Sequence, residues 1–353
     1  MGNHVRFVTD IANPEIARGT ERVQGSEPPL VDSFGRAHSY LRVSVTDRCN
    51  LACRYCVAPE SRVDQARRPE MLSYEEVARL TALFARAGVR RIRFTGGEPL
   101  VRRGFVQMVE LVRRETGLRD LFVTTNGVRL AGLAERLVRA GIRGVNVSLD
   151  TLDPARFRDF TGGGDLSRTV GGIHAAVAAG MEVKLNAVLL RGANDDELGR
   201  LVDFAWELGA TPRFIERMPI GQNAPGVRTL TADEAVGRLG ARLERGGWMS
   251  QDRHGPARYM PAADGSGRRV GFISAMSEQF CASCNRLRLT ATGEIRSCLA
   301  SPERVPLREL LRSCASDADI LAAVRTALLN KRAAHEMGDL VPVPGPAMRS
   351  IGG

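Results

Sequence analysis

Two groups of cysteines are the residues in this chain whose type and spacing promise chemistry. Cys49, Cys53 and Cys56 fall within the run Cys49-Asn-Leu-Ala-Cys53-Arg-Tyr-Cys56, and Cys281, Cys284 and Cys298 form a second set of three. Three thiolates this close in sequence can converge on one metal centre. Structural zinc takes four ligands, whereas an iron–sulfur cluster can be held by three thiolates with one iron left open to a small molecule. No fourth cysteine or histidine lies near the first set, which favours a cluster there, although a remote ligand would complete a zinc site. For the second set, spacing alone favours a zinc knuckle completed by His254 or Cys314. Cys314 brings the total to seven, an odd number in a chain of 353 residues. Such a chain needs no stapling, so a disulfide framework is the poorer explanation.

These thiols must be carried by regular elements, and the pattern from Leu41 onward is that of βα units. Strands are expected at 41–46, 91–95, 120–126, 144–149, 181–189 and 213–218. Helices between them show start signals: Ser73-Tyr-Glu-Glu76 reads as a capping box, and Asp153-Pro154 places a cap before a proline in the first turn. Strand parity selects the architecture. Leu41, Val43 and Val45 alternate with Arg42, Ser44 and Thr46; Ile92 and Phe94 with Arg91, Arg93 and Thr95; Val145, Val147 and Leu149 with Asn146, Ser148 and Asp150; Val183, Leu185 and Ala187 with Glu182, Lys184 and Asn186. A doubly wound sheet has helices on both faces and would not leave one face this polar, whereas a barrel with a ligand-holding interior would. The third and sixth strands fit the alternation less cleanly. The fold class is therefore α/β: an incomplete (β/α)6 TIM-like barrel, with the first cysteine loop at the carboxyl-terminal mouth where catalytic groups of such barrels gather. Beyond Ile220 the rhythm stops. A Gly/Pro-rich turn at 221–226 leads to a helix opened by Thr231-Ala-Asp-Glu234, a hairpin over 285–298 turning at Thr292-Gly293, and helices near 306–314 and 317–332. The expected organisation is a leader (1–36), poorly ordered or covering, a partial barrel (37–222) and a carboxyl-terminal region (223–353) that closes the barrel mouth.

The formal charge is +10, and only Lys184 and Lys331 among the 50 basic residues are lysine. Such a charge calls for an anionic partner or is simply an arginine-rich surface. No run of about 18 apolar residues occurs and the amino terminus lacks an apolar signal core, so a soluble, cytoplasmic chain with no membrane partner is expected.

The run from Thr46 to Cys56 resembles the CxxxCxxC loop of radical S-adenosylmethionine enzymes, with Tyr55 as the aromatic before the third cysteine. Gly96-Gly97-Glu98-Pro99 after the second strand matches that superfamily's GGEP motif. Cys281-Ala-Ser-Cys284, thirteen intervening residues and Cys298, enclosing Arg286-Leu287-Arg288, look like the carboxyl-terminal cluster of the GTP 3′,8-cyclase family of molybdenum cofactor biosynthesis. Phe34-Gly35-Arg36 and the terminal Ile351-Gly352-Gly353 match as well, so the resemblance runs from about residue 31 to the end. It implies two 4Fe-4S clusters, a first on Cys49, Cys53 and Cys56 that reduces S-adenosyl-L-methionine, and a second on Cys281, Cys284 and Cys298 that meets the guanine base. It implies that Tyr55, Gly97, Ser148 and Met218 contact S-adenosylmethionine, and that Arg42, Arg93, Thr124, Lys184, Arg286, Leu287 and Arg288 contact GTP, Arg286 and Arg288 being catalytic together with the first three cysteines. By the same resemblance a 5′-deoxyadenosyl radical removes H3′ of GTP, C3′ closes on C8, and the product is 3′,8-cyclo-7,8-dihydro-GTP. An external one-electron donor, a monomer or homodimer, and contact with the next pathway enzyme, cyclic pyranopterin monophosphate synthase, belong to that picture.

Parity supports part of it independently, since Arg42, Arg93 and Lys184 lie on the polar side of their strands, and arginine forks and converging cations suit a triphosphate. Two other readings compete. A peptide-modifying radical enzyme also adds carboxyl-terminal cysteines, but usually more than the four available here. A zinc-containing nucleic-acid binder would explain the charge, yet only 5% of residues are aromatic and no compact basic block stands out, so stacking platforms and a basic stripe are missing.

Overall fold

Alternation of apolar and polar residues builds the sheet as expected. The computed structural model describes residues 27–56, 66–220, 229–249, 255–338 and 348–351. Six strands, β1 (Tyr40–Ser44), β2 (Arg91–Thr95), β3 (Asp120–Thr125), β4 (Ile142–Ser148), β5 (Glu182–Leu189) and β6 (Thr211–Glu216), pair in chain order, each parallel to the next. Helices α1 (Tyr74–Arg86), α2 (Phe105–Thr116), α3 (Ala134–Ala140), α4 (Pro154–Phe160), α5 (Leu166–Ala178) and α6 (Leu198–Glu207) return the chain between them. Parallel neighbours require such crossovers. Ser73 caps α1 in a full capping box with Glu76, and losing such a cap costs about 1 kcal/mol. Asp153 caps α4 by accepting from the Ala155 and Arg156 N–H groups.

Leu41, Val43, Ile92, Phe94, Val145, Val147, Val183 and Leu185 all face the helices and join one hydrophobic core. The two strands with imperfect alternation have local reasons for it. Phe122 sits on the inward parity of β3 because its ring lies under the Arg91 and Arg93 guanidiniums, at 4.7 and 5.0 Å. Glu216 sits on the core parity of β6, where its buried carboxylate accepts from the backbone N–H of Ala232, Met276 and Ser277.

The carboxyl-terminal region extends the sheet on both sides. It adds β7 (Arg258–Pro261), β8 (Arg269–Ile273), β9 (Arg286–Leu289), β10 (Glu294–Arg296) and β11 (Val305–Pro306), giving one sheet ordered β11-β10-β9-β1-β2-β3-β4-β5-β6-β8-β7. β9 lies parallel on β1 and β8 parallel on β6, while β7, β10 and β11 run antiparallel at the rims. The sheet stays open, with β11 and β7 as its two edges. The expected hairpin is β9–β10, with Gly293 at φ 82° in its turn. Among the described residues of the region lie three more α-helices: α7 (Ala232–Leu239), opened by the Thr231–Glu234 capping box, α8 (Leu307–Arg312) and α9 (Asp317–Leu329).

Leu30 is in the core, its N–H donates to Ala87 O, and its carbonyl accepts from His38 N–H. Residues 1–26, the turn at 221–226, His254 and Gly352-Gly353 lie outside the described residues.

Candidate functional site

The inward parity of the strands, the first cysteine loop and the carboxyl-terminal region enclose one cavity of ≈ 330 Å³. All six cysteines of the two triads line it, as do Arg42, Tyr55, Arg93, Gly97, Thr124, Ser148, Lys184, Met218, Arg286 and Arg288. Leu287 is the exception among the expected residues. It is 1% exposed in the core, on the face of β9 opposite Arg286 and Arg288. Any contact it makes with a cavity ligand falls to its backbone.

The first cysteine loop is docked by backbone and by one buried pair. The Gly97 and Glu98 N–H groups donate to Thr46 O and Arg48 O. A Cβ on Gly96 or Gly97 would fall within contact distance of those same two carbonyls. The glycine pair therefore lets β2 meet the cysteine loop. Glu98 then ties the next strand end: its carboxylate accepts from Thr125 Oγ1 at 2.7 Å and from Asn126 N–H at 2.7 Å, and burial raises it to about 7. Across the mouth, Tyr55 Oη donates to Asp150 Oδ2 at 2.6 Å, and burial holds Asp150 up at about 6.

The thiols differ between triads. Burial pushes Cys49 and Cys53 above the ordinary thiol range and Cys56 up to about 11, with Asp150 adding to the effect at Cys53 and Cys49 adding to it at Cys56. Loading a metal there must release protons, because only thiolates are ligands. Burial also raises Cys284, but Arg286 and Lys331 outweigh it and bring that thiol down to about 6. Among the described residues no three His, Cys, Asp or Glu side chains meet closely enough to hold a single ion. The two triads line a shared cavity wall, a donor set of six free thiols that suits thiolate-ligated metal centres. Cys314 is exposed and does not line the cavity.

Register sets the cations. Arg288, Arg42 and Arg93 are direct neighbours across β9, β1 and β2, and Arg286, Tyr40 and Arg91 form the adjacent row. Asn146 and Lys184 pair across β4 and β5, Asn186 and Arg213 across β5 and β6. Burial brings Arg42 down to about 10, and Arg93, Arg286 and Arg213 push the same way against the Tyr40 phenol. Burial, then Arg42 and Arg286, hold Arg288 well below the usual guanidinium range. Arg93 donates through Nε to Tyr40 Oη at 2.5 Å; burial works to raise that phenol, but Arg93, Arg42 and Arg91 bring it to about 7. Lys184 pairs with Glu182 at 2.6 Å. The Thr124 hydroxyl is buried without a hydrogen-bond partner. Converging cations and an orphaned hydroxyl in one concave space are what a bound polyanion satisfies.

Tyr40, Arg91, Asn186, Arg213 and Tyr259 also line the cavity and were not among the expected site residues. The same parity would have found Arg91 and Asn186, whereas Arg213 lies on β6, where Glu216 breaks the alternation. Tyr40 falls one residue before the expected start of its strand, and Tyr259 lies in a stretch without periodicity.

The model of the Radical SAM superfamily matches residues 43–205, and that of Molybdenum Cofactor Synthesis C matches residues 210–337. The chain is 44% identical over 313 residues to the GTP 3′,8-cyclase of Paracoccus denitrificans, covering 87% of this chain and 90% of that protein. It is 42% identical over 336 residues to the GTP 3′,8-cyclase of Caulobacter vibrioides, covering 92% and 94%. Streptococcus suis SuiB bound to S-adenosylmethionine shares the fold, with a TM-score of 0.58 and 14% identity over 82% of this chain and 69% of that one.

Proposed function

The chain belongs to the GTP 3′,8-cyclase family of radical S-adenosylmethionine enzymes, and from that membership we propose how its residues divide the work. The reaction converts GTP to 3′,8-cyclo-7,8-dihydro-GTP, the first step of molybdenum cofactor biosynthesis. When bound, a 4Fe-4S cluster and S-adenosylmethionine supply reductive radical chemistry, with removal of a ribose hydrogen. Cys49, Cys53 and Cys56 would hold that cluster, on a loop fixed by Gly96, Gly97 and the Tyr55–Asp150 bond. Gly97, Ser148, Met218 and Tyr55 would hold S-adenosylmethionine at the carboxyl ends of the strands.

The observation that carries the assignment is that both cysteine triads and the arginine rows line one cavity. A second 4Fe-4S cluster on Cys281, Cys284 and Cys298 would take the guanine base. Arg42, Arg93, Arg286, Arg288 and Lys184 would hold the triphosphate and ribose, with Thr124 supplying a hydroxyl. Pinning a flexible nucleotide at both ends brings C3′ and C8 together, the fixing of geometry that an intramolecular ring closure needs. An external one-electron donor, a cytoplasmic location, a monomeric or homodimeric state, and a passing contact with cyclic pyranopterin monophosphate synthase complete the proposal. Among the described residues no helix is long and apolar enough to cross a membrane.

The test is anaerobic turnover of reduced, reconstituted protein with S-adenosylmethionine and GTP. About eight irons per chain, matched sulfide, 5′-deoxyadenosine and a cyclised nucleotide are expected. Zinc without sulfide, or 5′-deoxyadenosine whose formation ignores GTP, would refute the division of roles.

A further inference from the structure

Lys331 is one of only two lysines in the chain and is 5% exposed. It follows α9, far in sequence from the second cysteine triad, yet its Nζ lies 3.8 Å from Cys284 Sγ, within reach of an N–H···S hydrogen bond. A buried ammonium is costly unless an anion meets it. The acid of this neighbourhood is otherwise engaged: Asp32 takes Arg36 Nε at 2.6 Å, His38 Nε2 at 3.1 Å and the N–H groups of Phe34 and Arg36. His38 adds no competing positive charge, since burial and then Lys331 hold it neutral, at about 4.

The chain around Lys331 is clamped to the triad. Arg36 donates to Cys281 O and Ala333 O, both at 2.8 Å, and to Arg332 O at 2.9 Å. One guanidinium thus joins the loop carrying the first cysteine of the triad to the two residues that follow Lys331. Four residues further on, His335 lines the cavity, is fixed by a contact of its Nε2 with Ala275 O at 2.9 Å, and offers its backbone N–H to Cys281. The Phe34-Gly35-Arg36 motif, which the nucleotide-binding residues do not account for, finds its use in this clamp.

We propose that Lys331 is the counter-cation of the second cysteine triad, a positioning residue whose ammonium against Cys284 sets the reduction potential of the cluster bound there. The inference rests on the reading that Cys281, Cys284 and Cys298 hold a cluster. Hydrogen bonds to the sulfurs and nearby charge are the levers by which a protein tunes such a group. A fixed cation stabilises the reduced, more negative state, so its removal lowers the potential.

The test uses the full chain carrying Cys49→Ala, Cys53→Ala and Cys56→Ala, which leaves the second triad alone, reconstituted anaerobically with iron and sulfide. Iron content, the electron paramagnetic resonance spectrum of the reduced protein and a potentiometric titration are compared with Lys331, K331M and K331R. K331M should show a more negative midpoint potential and an altered spectrum, or loss of the cluster iron, and K331R should recover most of the change. A wild-type potential, spectrum and iron content in K331M would overturn the proposal, as would a K331R shift equal to that of K331M, because the charge is kept there. If the chain with Lys331 intact binds no cluster, the reading of the second triad fails instead, which separates the two failures.

Discussion

Lys184 offers the sharpest test of how the cavity holds an anion, because its charge is already balanced by a neighbour on the same face of β5. Its Nζ lies 2.6 Å from Glu182 Oε1, and its side chain is 11% exposed against 42% for Glu182. A hydrogen bond to a charged group in such a place contributes about 1.5–3 kcal/mol, and 1.4 kcal/mol is a factor of ten. Lys184→Ala should therefore raise the KM for GTP by roughly 10- to 100-fold. Part of that loss comes from Glu182, whose carboxylate is left beside the triphosphate without its partner. Glu182→Gln alone should leave KM unchanged or lower, since it frees the ammonium. The double variant Glu182→Gln/Lys184→Ala should lie between wild type and Lys184→Ala, the residual coupling being reduced by solvent at the half-exposed carboxylate. The assay is steady-state cyclisation at varied GTP with S-adenosylmethionine saturating. Unchanged KM in Lys184→Ala would refute the inward, anion-facing role, and a double variant no better than the single one would refute the part assigned to Glu182.

Five further outcomes are expected. Cys49→Ser should abolish S-adenosylmethionine cleavage, whereas Cys284→Ser should still form 5′-deoxyadenosine but no cyclised nucleotide, with iron falling to about four per chain; product analysis and iron counts check both. Tyr40→Phe removes the 2.5 Å bond from Arg93 Nε and, by the same logic as Glu182→Gln, should leave the KM for GTP unchanged or lower above pH 7.5, where the phenol is most ionised; a KM raised at that pH would refute it. Gly97→Ala drives a Cβ against Arg48 O and should cost about 1–3 kcal/mol in urea unfolding and suppress S-adenosylmethionine cleavage; wild-type stability and cleavage would count against the docking role of the glycines. Glu98 titrates at about 7 in the folded chain against an ordinary 4.5, a raised value, so its contribution to stability is fully present below pH 4.5 and is lost as pH rises through 7. That amounts to roughly 3 kcal/mol, and Glu98→Gln should flatten the pH 5 to 8 unfolding profile of the metal-free protein; an unaltered slope would contradict the buried carboxylate.

Much of the site was legible in the sequence because strand side chains alternate with a period of two. Arg42, Arg93 and Lys184 could be placed inward before any coordinates, as could the cysteine loop at a strand end. The same rule reached Arg91 and Asn186, and it stumbled at β3 and β6, where one residue had a partner from another strand or loop. Phe122 faces inward because two arginines on β2 need a ring, and Glu216 faces the core because three distant N–H groups need a carboxylate.

The chain by itself determined the local items: two cysteine triads, the capping boxes at Ser73 and Thr231, the alternating strands and the glycine pair after β2. Tertiary structure decided what those items meet. That Tyr55 reaches Asp150, that Arg288 lies beside Arg42 in register, and that Lys331 comes back to Cys284 are contacts between residues 95, 246 and 47 positions apart. No periodicity carries such information, because the pairings follow from how the open sheet takes β9 onto β1 and closes its helices around one core.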